Sequence, residues 1–234
     1  MNLIKLLPLL LLIVLSCQSQ PMDEFEAKRA RMVESQIECR GVKDAQTLRV
    51  MRKVPRHAFI PPEYRHLAYT DSPLPIGRGQ TISQPYIVAF MTEAVHPAKG
   101  KKALEIGTGS GYQAAVLAEI VDSVYTIEII EELAGMASTT LKELGYTNVV
   151  VKLGDGYKGW PQHAPFDIII VTAACNHIPQ PLLDQLAENG RMIIPVGERD
   201  TVQELVLITR KKGEFKKKIM LPVRFVPFTR DEDD

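Results

Sequence analysis

The sequence predicts an α/β protein built on a doubly wound, mostly parallel seven-stranded sheet, with an N-terminal extension of helices and loop. Three observations predict it. From residue 101 onward short apolar runs alternate with helix-patterned segments, several of those runs are apolar at every position, and a glycine-rich turn links the first run to the first helix. Continuous apolar character suits strands covered on both faces, and strand–helix alternation makes successive strands parallel. The 234 residues suit one core, since single cores stop growing near ~250–300 residues.

Composition narrows the class. Apolar residues make up 45% and charged residues 24% of the chain, which excludes disordered and fibrous classes. Lys plus Arg and Asp plus Glu both number 28, so no net field draws the protein to nucleic acid. Cys17, Cys39 and Cys175 are too scattered for a disulfide framework or a zinc site, and no metal is expected.

In chain order, the first 20 residues read as a leader. Lys5 precedes an apolar run over 6–15 that closes on Val14-Leu15-Ser16-Cys17, the pattern of a lipoprotein signal in which Cys17 is lipidated. About ten apolar residues cannot span a bilayer core that needs ~20, so membrane attachment is expected only through a lipid on Cys17. Residues 24–40 set Phe25, Val33 and Ile37 near helical spacing and stop at Gly41. Asp44 caps a second helix with Leu48 and Met51 on one face, ended by Pro55. The stretch 55–85 is rich in proline and is expected to be irregular, and long irregular segments in compact domains are usually functional.

Five strands are expected over 103–106, 124–128, 149–151, 167–172 and 191–196, with helices over 112–121, 131–144 and 181–188 stopped by Gly145 and Gly190. Two last strands, 205–209 and 219–226, are joined through the hairpin signal Lys211-Lys212-Gly213, and the surrounding lysines read as a solvated hairpin rather than a binding patch. The chain therefore divides into a leader over 1–20, N-terminal helices and loop over 21–100, and a core over 101–234 that forms one compact domain with 21–100.

The run Glu105-Ile106-Gly107-Thr108-Gly109-Ser110-Gly111 leaves a strand and enters a helix, where glycines let backbone approach a ligand closely. A dinucleotide fingerprint needs Gly-x-Gly-x-x-Gly, and Tyr112 occupies its last glycine position. The observed Gly-x-Gly-x-Gly, with Glu105 two residues ahead, is the motif with which class I methyltransferases bind S-adenosyl-L-methionine. Glu128 ends the second strand, where a carboxylate accepts hydrogen bonds from ribose hydroxyls in doubly wound folds. Asp155, beside Gly156 after the third strand, is placed to meet the adenine amino group.

The chain closely resembles the protein-L-isoaspartate O-methyltransferase family over nearly all of 32–228. The resemblance rests on Val54-Pro55-Arg56-His57-Ala58-Phe59-Ile60-Pro61, on Gly79-Gln80-Thr81-Ile82-Ser83-Gln84-Pro85, on the glycine motif, on 154–161 and 166–174, and on Pro222-Val223-Arg224-Phe225-Val226-Pro227. It implies methyl transfer from S-adenosyl-L-methionine to the free α-carboxylate of L-isoaspartyl residues in damaged proteins and peptides. The ester then closes to succinimide, whose hydrolysis returns some normal aspartyl linkage. The resemblance also implies Ser83 as the catalytic residue, with Ile82 and Val88 on the substrate, and Gly107, Thr108, Gly109 and Gly111 with the three acids and Gly156 on the cofactor. The α-carboxylate has a pKa near ~4, so no general base is expected, and closure of 68–85 is the expected means of excluding water.

Rival readings are another class I methyltransferase, an envelope lipoprotein that keeps the fold without catalysis, and a dehydrogenase. Val171-Thr172-Ala173-Ala174 stands where an amino-methylating enzyme shows Asn/Asp-Pro-Pro-Tyr/Phe, and Tyr112 counts against the dehydrogenase. The leader favours export as a lipoprotein anchored at Cys17, whereas S-adenosyl-L-methionine is made in the cytoplasm. The cytoplasm is the expected site of action and a monomer the expected state.

Overall fold

Asp44 Oδ2 accepts from both the backbone N–H and the hydroxyl of Thr47 at 2.7 Å, so the second helix starts where the sequence places its cap. The computed structural model describes residues 24–198 and 201–230. The leader with Cys17 and the acidic residues 231–234 lie outside the described residues. Helix α1 (Glu24–Met32) continues through a π turn and a 3-10 turn to Gly41, whose φ of 98° ends it in the left-handed region. Helix α2 (Ala45–Lys53) turns Leu48, Val50 and Met51 inward.

The proline-rich stretch is more regular than expected. Two 3-10 turns lead into strand β1 (Leu74–Gly77), which pairs antiparallel with β2 (Gln80–Ile82). Arg78 and Gly79, with φ of 52° and 71°, make the turn between them, and two positive φ values match the twist of a tight hairpin. Prolines are tolerated here because the pair is a two-stranded edge element with few ladder bonds to lose. Helix α3 (Pro85–Ala94), not read from the sequence, begins on Pro85, whose fixed φ suits a first helical position.

The core alternates β3 (Lys102–Ile106), α4 (Tyr112–Ala118), β4 (Ser123–Glu128), α5 (Glu131–Glu143), β5 (Val149–Leu153), β6 (Phe166–Val171), α6 (Gln180–Asp184), β7 (Leu186–Val196), β8 (Gln203–Lys211) and β9 (Glu214–Val223). Seven strands form one sheet in the order β5-β4-β3-β6-β7-β8-β9. The first five are parallel neighbours, and β8 and β9 run antiparallel beside β7 and β8. Successive residues supply opposite faces: Ile168 and Ile170 join the core under the N-terminal helices, Ile169 and Val171 the core under α6. Burial on both faces explains why β6 reads as an unbroken apolar run from Ile168 to Val171. Among the described residues no helix is long and apolar enough to cross a membrane.

Two boundaries differ from expectation. The helix expected over 181–188 stops at Asp184, and β7 starts at Leu186, so Gly190 lies inside a strand. Leu186 pairs with Phe166 and Arg191 with Ile168, a register shift that Asn189 absorbs at φ 63°. The last strand covers 214–223 rather than 219–226, because the turn at Lys212 and Gly213 pairs Lys211 directly with Glu214. Val226 to Phe228 instead strap back across the sheet: Ala174 N–H donates to Val226 O at 2.8 Å and Phe228 N–H to Ala174 O at 2.9 Å.

Candidate active site

Strand β3 lies between β4 and β6, and the chain leaves it toward one and returns on the side of the other. The carboxyl ends of such strands open a crevice at the topological switch point, where doubly wound folds bind ligands. The cleft there holds about 760 Å³ including its open mouth, within the range of small-molecule sites.

Its floor is the glycine turn. Gly107 has φ 90°, and a Cβ there would sit 2.4 Å from Thr172 Oγ1. That hydroxyl donates to the carbonyls of Gly107 at 2.7 Å and Ile106 at 3.0 Å, stitching the turn to the end of β6. Thr172, not singled out from the sequence, is thus the group Gly107 must first make room for. Thr108 and Gly109 line the cleft. Gly111 lies beneath it, where an added Cβ would meet Leu141 Cδ1 at 3.2 Å, so its smallness seats the turn on α5.

The three acids occupy different settings. Glu105 is fully buried; its Oε2 accepts from Thr126 Oγ1 at 2.5 Å, and that hydroxyl lies 2.6 Å from Thr108 Oγ1. Its Oε1 has no hydrogen-bond partner among the described residues, and burial pushes the carboxyl up to about 8, the nearby Glu128 adding to the rise. Glu128 accepts from Gly109 N–H at 2.8 Å and from Ile130 N–H at 3.0 Å, bracing the turn while facing the cleft. Asp155 is not in the cleft wall. Its Oδ1 caps the following turn by accepting from Tyr157 N–H at 2.8 Å, and its Oδ2 lies 3.5 Å from Arg230 Nε. The neighbouring Gly156 does line the cleft, and a Cβ on it would press 2.3 Å from Ile106 Cγ2.

Residues fit S-adenosyl-L-methionine on one observation above all. That molecule carries an ammonium and a sulfonium, and Glu105 Oε1 is a buried, unpartnered acceptor at the cleft floor; a cation beside it offsets the cost of its burial.

The hairpin and α3 contribute to the same cleft. Ile82, Ser83 and Val88 line it together with the glycine turn. Ser83 is half-buried, and its hydroxyl forms no hydrogen bond among the described residues. Behind the cleft Arg56 is completely buried, its Nε donating to Ala68 O at 2.9 Å and its guanidinium 4.9 Å from the Tyr112 ring centroid. Desolvation lowers its pKa to about 10. Tyr112 and Gln113 from α4 and the strap over 226–229 also line the cleft. The sequence signalled the strap only as part of the Pro222 to Pro227 motif, because its return across β6 is set by tertiary hydrogen bonds.

Residues 27–233 match the model of the family described as protein-L-isoaspartate(D-aspartate) O-methyltransferase. The chain is 59% identical to a protein-L-isoaspartate O-methyltransferase of Gloeobacter violaceus over 86% of this chain and 98% of that protein. It is 55% identical to one of Opitutus terrae over 88% of each. Among solved structures, a Plasmodium falciparum protein-L-isoaspartate O-methyltransferase in complex with S-adenosyl-L-homocysteine matches with a TM-score of 0.75 at 28% identity, covering 87% of this chain and 99% of that one. The chain belongs to the protein-L-isoaspartate(D-aspartate) O-methyltransferase family.

Proposed function

We propose that this protein repairs damaged proteins by methylating the free α-carboxylate of L-isoaspartyl residues, with Ser83 as the residue that orients that carboxylate. The observation that carries the reading is that Ser83 and the glycine turn line one and the same cleft. Bound S-adenosyl-L-methionine supplies an electrophilic methyl group. At neutral pH the substrate carboxylate, with a pKa near ~4, is already ionised, so the protein needs no base to activate it. Its task is to hold one oxygen in line at roughly 3–3.5 Å, which contributes up to ~7–11 kcal/mol.

Ser83 donates to the oxygen that does not react and so aims the other. Ile82 and Val88 form the apolar wall that keeps water from the attacking oxygen, with Val88 buried on α3. Glu105, Glu128 and the backbone of 107–109 hold the cofactor side, and Gly156 leaves room above Ile106. The methyl ester product carries a methoxide leaving group that a free carboxylate lacks; once it has left the protein, the next backbone amide nitrogen attacks the ester carbonyl, methanol departs and succinimide forms without further help. Labelled methyl carried onto an isoaspartyl peptide should therefore come off as volatile methanol at mildly alkaline pH while succinimide accumulates. A base-stable label would contradict carboxyl methylation.

We further propose that residues 21–100 and 101–234 act as one unit, since both line the cleft, and that the enzyme works as a monomer in the cytoplasm, where its methyl donor is made. Mass spectrometry of the mature N-terminus in fractionated cells tests the compartment; a diacylglyceryl group on Cys17 without a cytoplasmic pool would overturn it.

A further inference from the structure

Thr81, Ser83 and Val226 belong to two cavities at once. One is the cleft over the glycine turn; the other is a groove of about 1280 Å³, open space included, that runs outward along 221–226 toward Arg40. A peptide whose reacting carboxylate meets Ser83 has this groove for its neighbouring residues. Its walls are largely apolar, with Tyr86, Ile87, Val202, Leu221 and Phe225 among them, and no acidic side chain among the described residues lines it.

Among the described residues, two charged side chains line it, Arg40 and Arg224. Arg40 is already compensated: its Nη1 lies 2.8 Å from Asp71 Oδ2 and its guanidinium 3.7 Å from the Tyr86 ring centroid. Asp71 is itself held by Gln84 Nε2 at 2.8 Å. Arg224 differs. It is exposed and forms no hydrogen bond or ion pair among the described residues, although Glu204 is exposed across the ladder from the nearby Pro222. The backbone around Arg224 is fixed, because Phe225 N–H donates to Gln203 Oε1 at 2.9 Å and Val226 O accepts from Ala174 N–H at 2.8 Å. An exposed guanidinium without a partner among the described residues, on a pinned backbone beside apolar walls, is a preorganised receptor for a carboxylate, which it can meet with two parallel hydrogen bonds.

We propose that Arg224 gives the enzyme a preference for isoaspartyl sites flanked by an acidic residue, and a matching bias against a flanking lysine. The proposal rests on the reading of Ser83 as the substrate side of the cleft.

The test uses the full chain and sets of isoaspartyl peptides, equal in length, that carry Glu, Gln or Lys on either side of the damaged residue. At low ionic strength kcat/KM should fall in the order Glu, Gln, Lys on at least one side, by roughly threefold per step, as solvent-exposed charge pairs allow. The spread should shrink as salt shortens the screening length to ~8 Å. Arg224→Gln should collapse the ranking and Arg224→Glu should invert it. A flat ranking in the unmodified enzyme would overturn the assignment. So would a ranking that Arg224→Gln leaves intact, including a loss shared equally by all peptides, which would instead put the guanidinium on the isoaspartyl carboxylate. No methylation of even the Gln peptide would overturn the proposed function, and this assignment with it.

Discussion

Glu128 accepts a hydrogen bond from the backbone N–H of Gly109 at 2.8 Å, so the acid that ends β4 braces the glycine turn that follows β3. One carboxylate thereby shapes the floor of the cleft and faces its contents. Glu128→Ala should weaken S-adenosyl-L-homocysteine binding by about 1–3 kcal/mol, the cost of leaving part-buried donors unsatisfied, or about 5- to 160-fold by calorimetry. Glu128→Gln, which keeps one acceptor oxygen, should lose less. Equal affinities across the three proteins would show that the brace is irrelevant to the ligand.

Glu105 gives the site a pH dependence with a definite sign. Burial raises its pKa from 4.5 to about 8, so the unliganded protein holds it neutral at pH 7. A raised acid contributes stability fully present below the unfolded value, and that contribution is lost as pH rises toward the folded value. The melting temperature without ligand should therefore fall between about pH 5 and 8, and Glu105→Gln should flatten that fall. A cationic ligand favours the ionised form, so binding near pH 7 should release protons. Calorimetry in buffers of different ionisation enthalpy counts them; no release by the unmodified protein, or the same release by Glu105→Gln, would contradict this account.

Gly107 separates packing from ligand contact. A Cβ at this position lies 2.4 Å from Thr172 Oγ1, on a backbone with φ 90°. Gly107→Ala should cost about 2–3 kcal/mol from strain and crowding. Adding Thr172→Ala removes the crowding atom and should recover part of that loss in denaturant melts, a coupling expected of residues in contact. Strict additivity of the two changes would mean that the crowding is relieved some other way.

How far the sequence could be read follows from these residues. Strand–helix alternation and unbroken apolar runs placed β3 to β6 within a few residues; in β3, β4 and β6 burial leaves that local signal, whereas β5 lies at the sheet edge with Val150 and Leu153 exposed. The Gly-x-Gly-x-Gly turn, Glu105 and Glu128 were legible for the same reason: each sits at a strand end, where the fold dictates chemistry. Asp155 was legible as an acid but not as a cap, since its partners Tyr157 N–H and Arg230 Nε depend on local turn geometry and on the returning C-terminal segment. Helix α3 and the β1–β2 hairpin were hidden by proline, which reads as disorder of pattern even when it starts a helix or sits in an edge strand. Thr172 and the strap over 226–229 reach the cleft only through contacts distant in sequence.

Ser83 is the residue on which the substrate side depends. Ser83→Ala should lower kcat on an isoaspartyl peptide by about ten- to a hundredfold, the scale of a lost hydrogen bond to a charged group at ~1.5–3 kcal/mol. Calorimetry with S-adenosyl-L-homocysteine should show a change of less than about twofold, because no part of the Ser83 role lies on the cofactor side. A variant with full turnover would make the hydroxyl structural.

The most direct measurement is methyl transfer from labelled S-adenosyl-L-methionine to two peptides of identical sequence and neutral flanks, one with an L-isoaspartyl and one with a normal aspartyl linkage. Only the β-linked geometry places a free α-carboxylate beside the main chain, within reach of the cleft that Ser83 and the glycine turn both line. The isoaspartyl peptide should be methylated and its twin left essentially unlabelled; equal labelling of both, or of neither, would contradict the account.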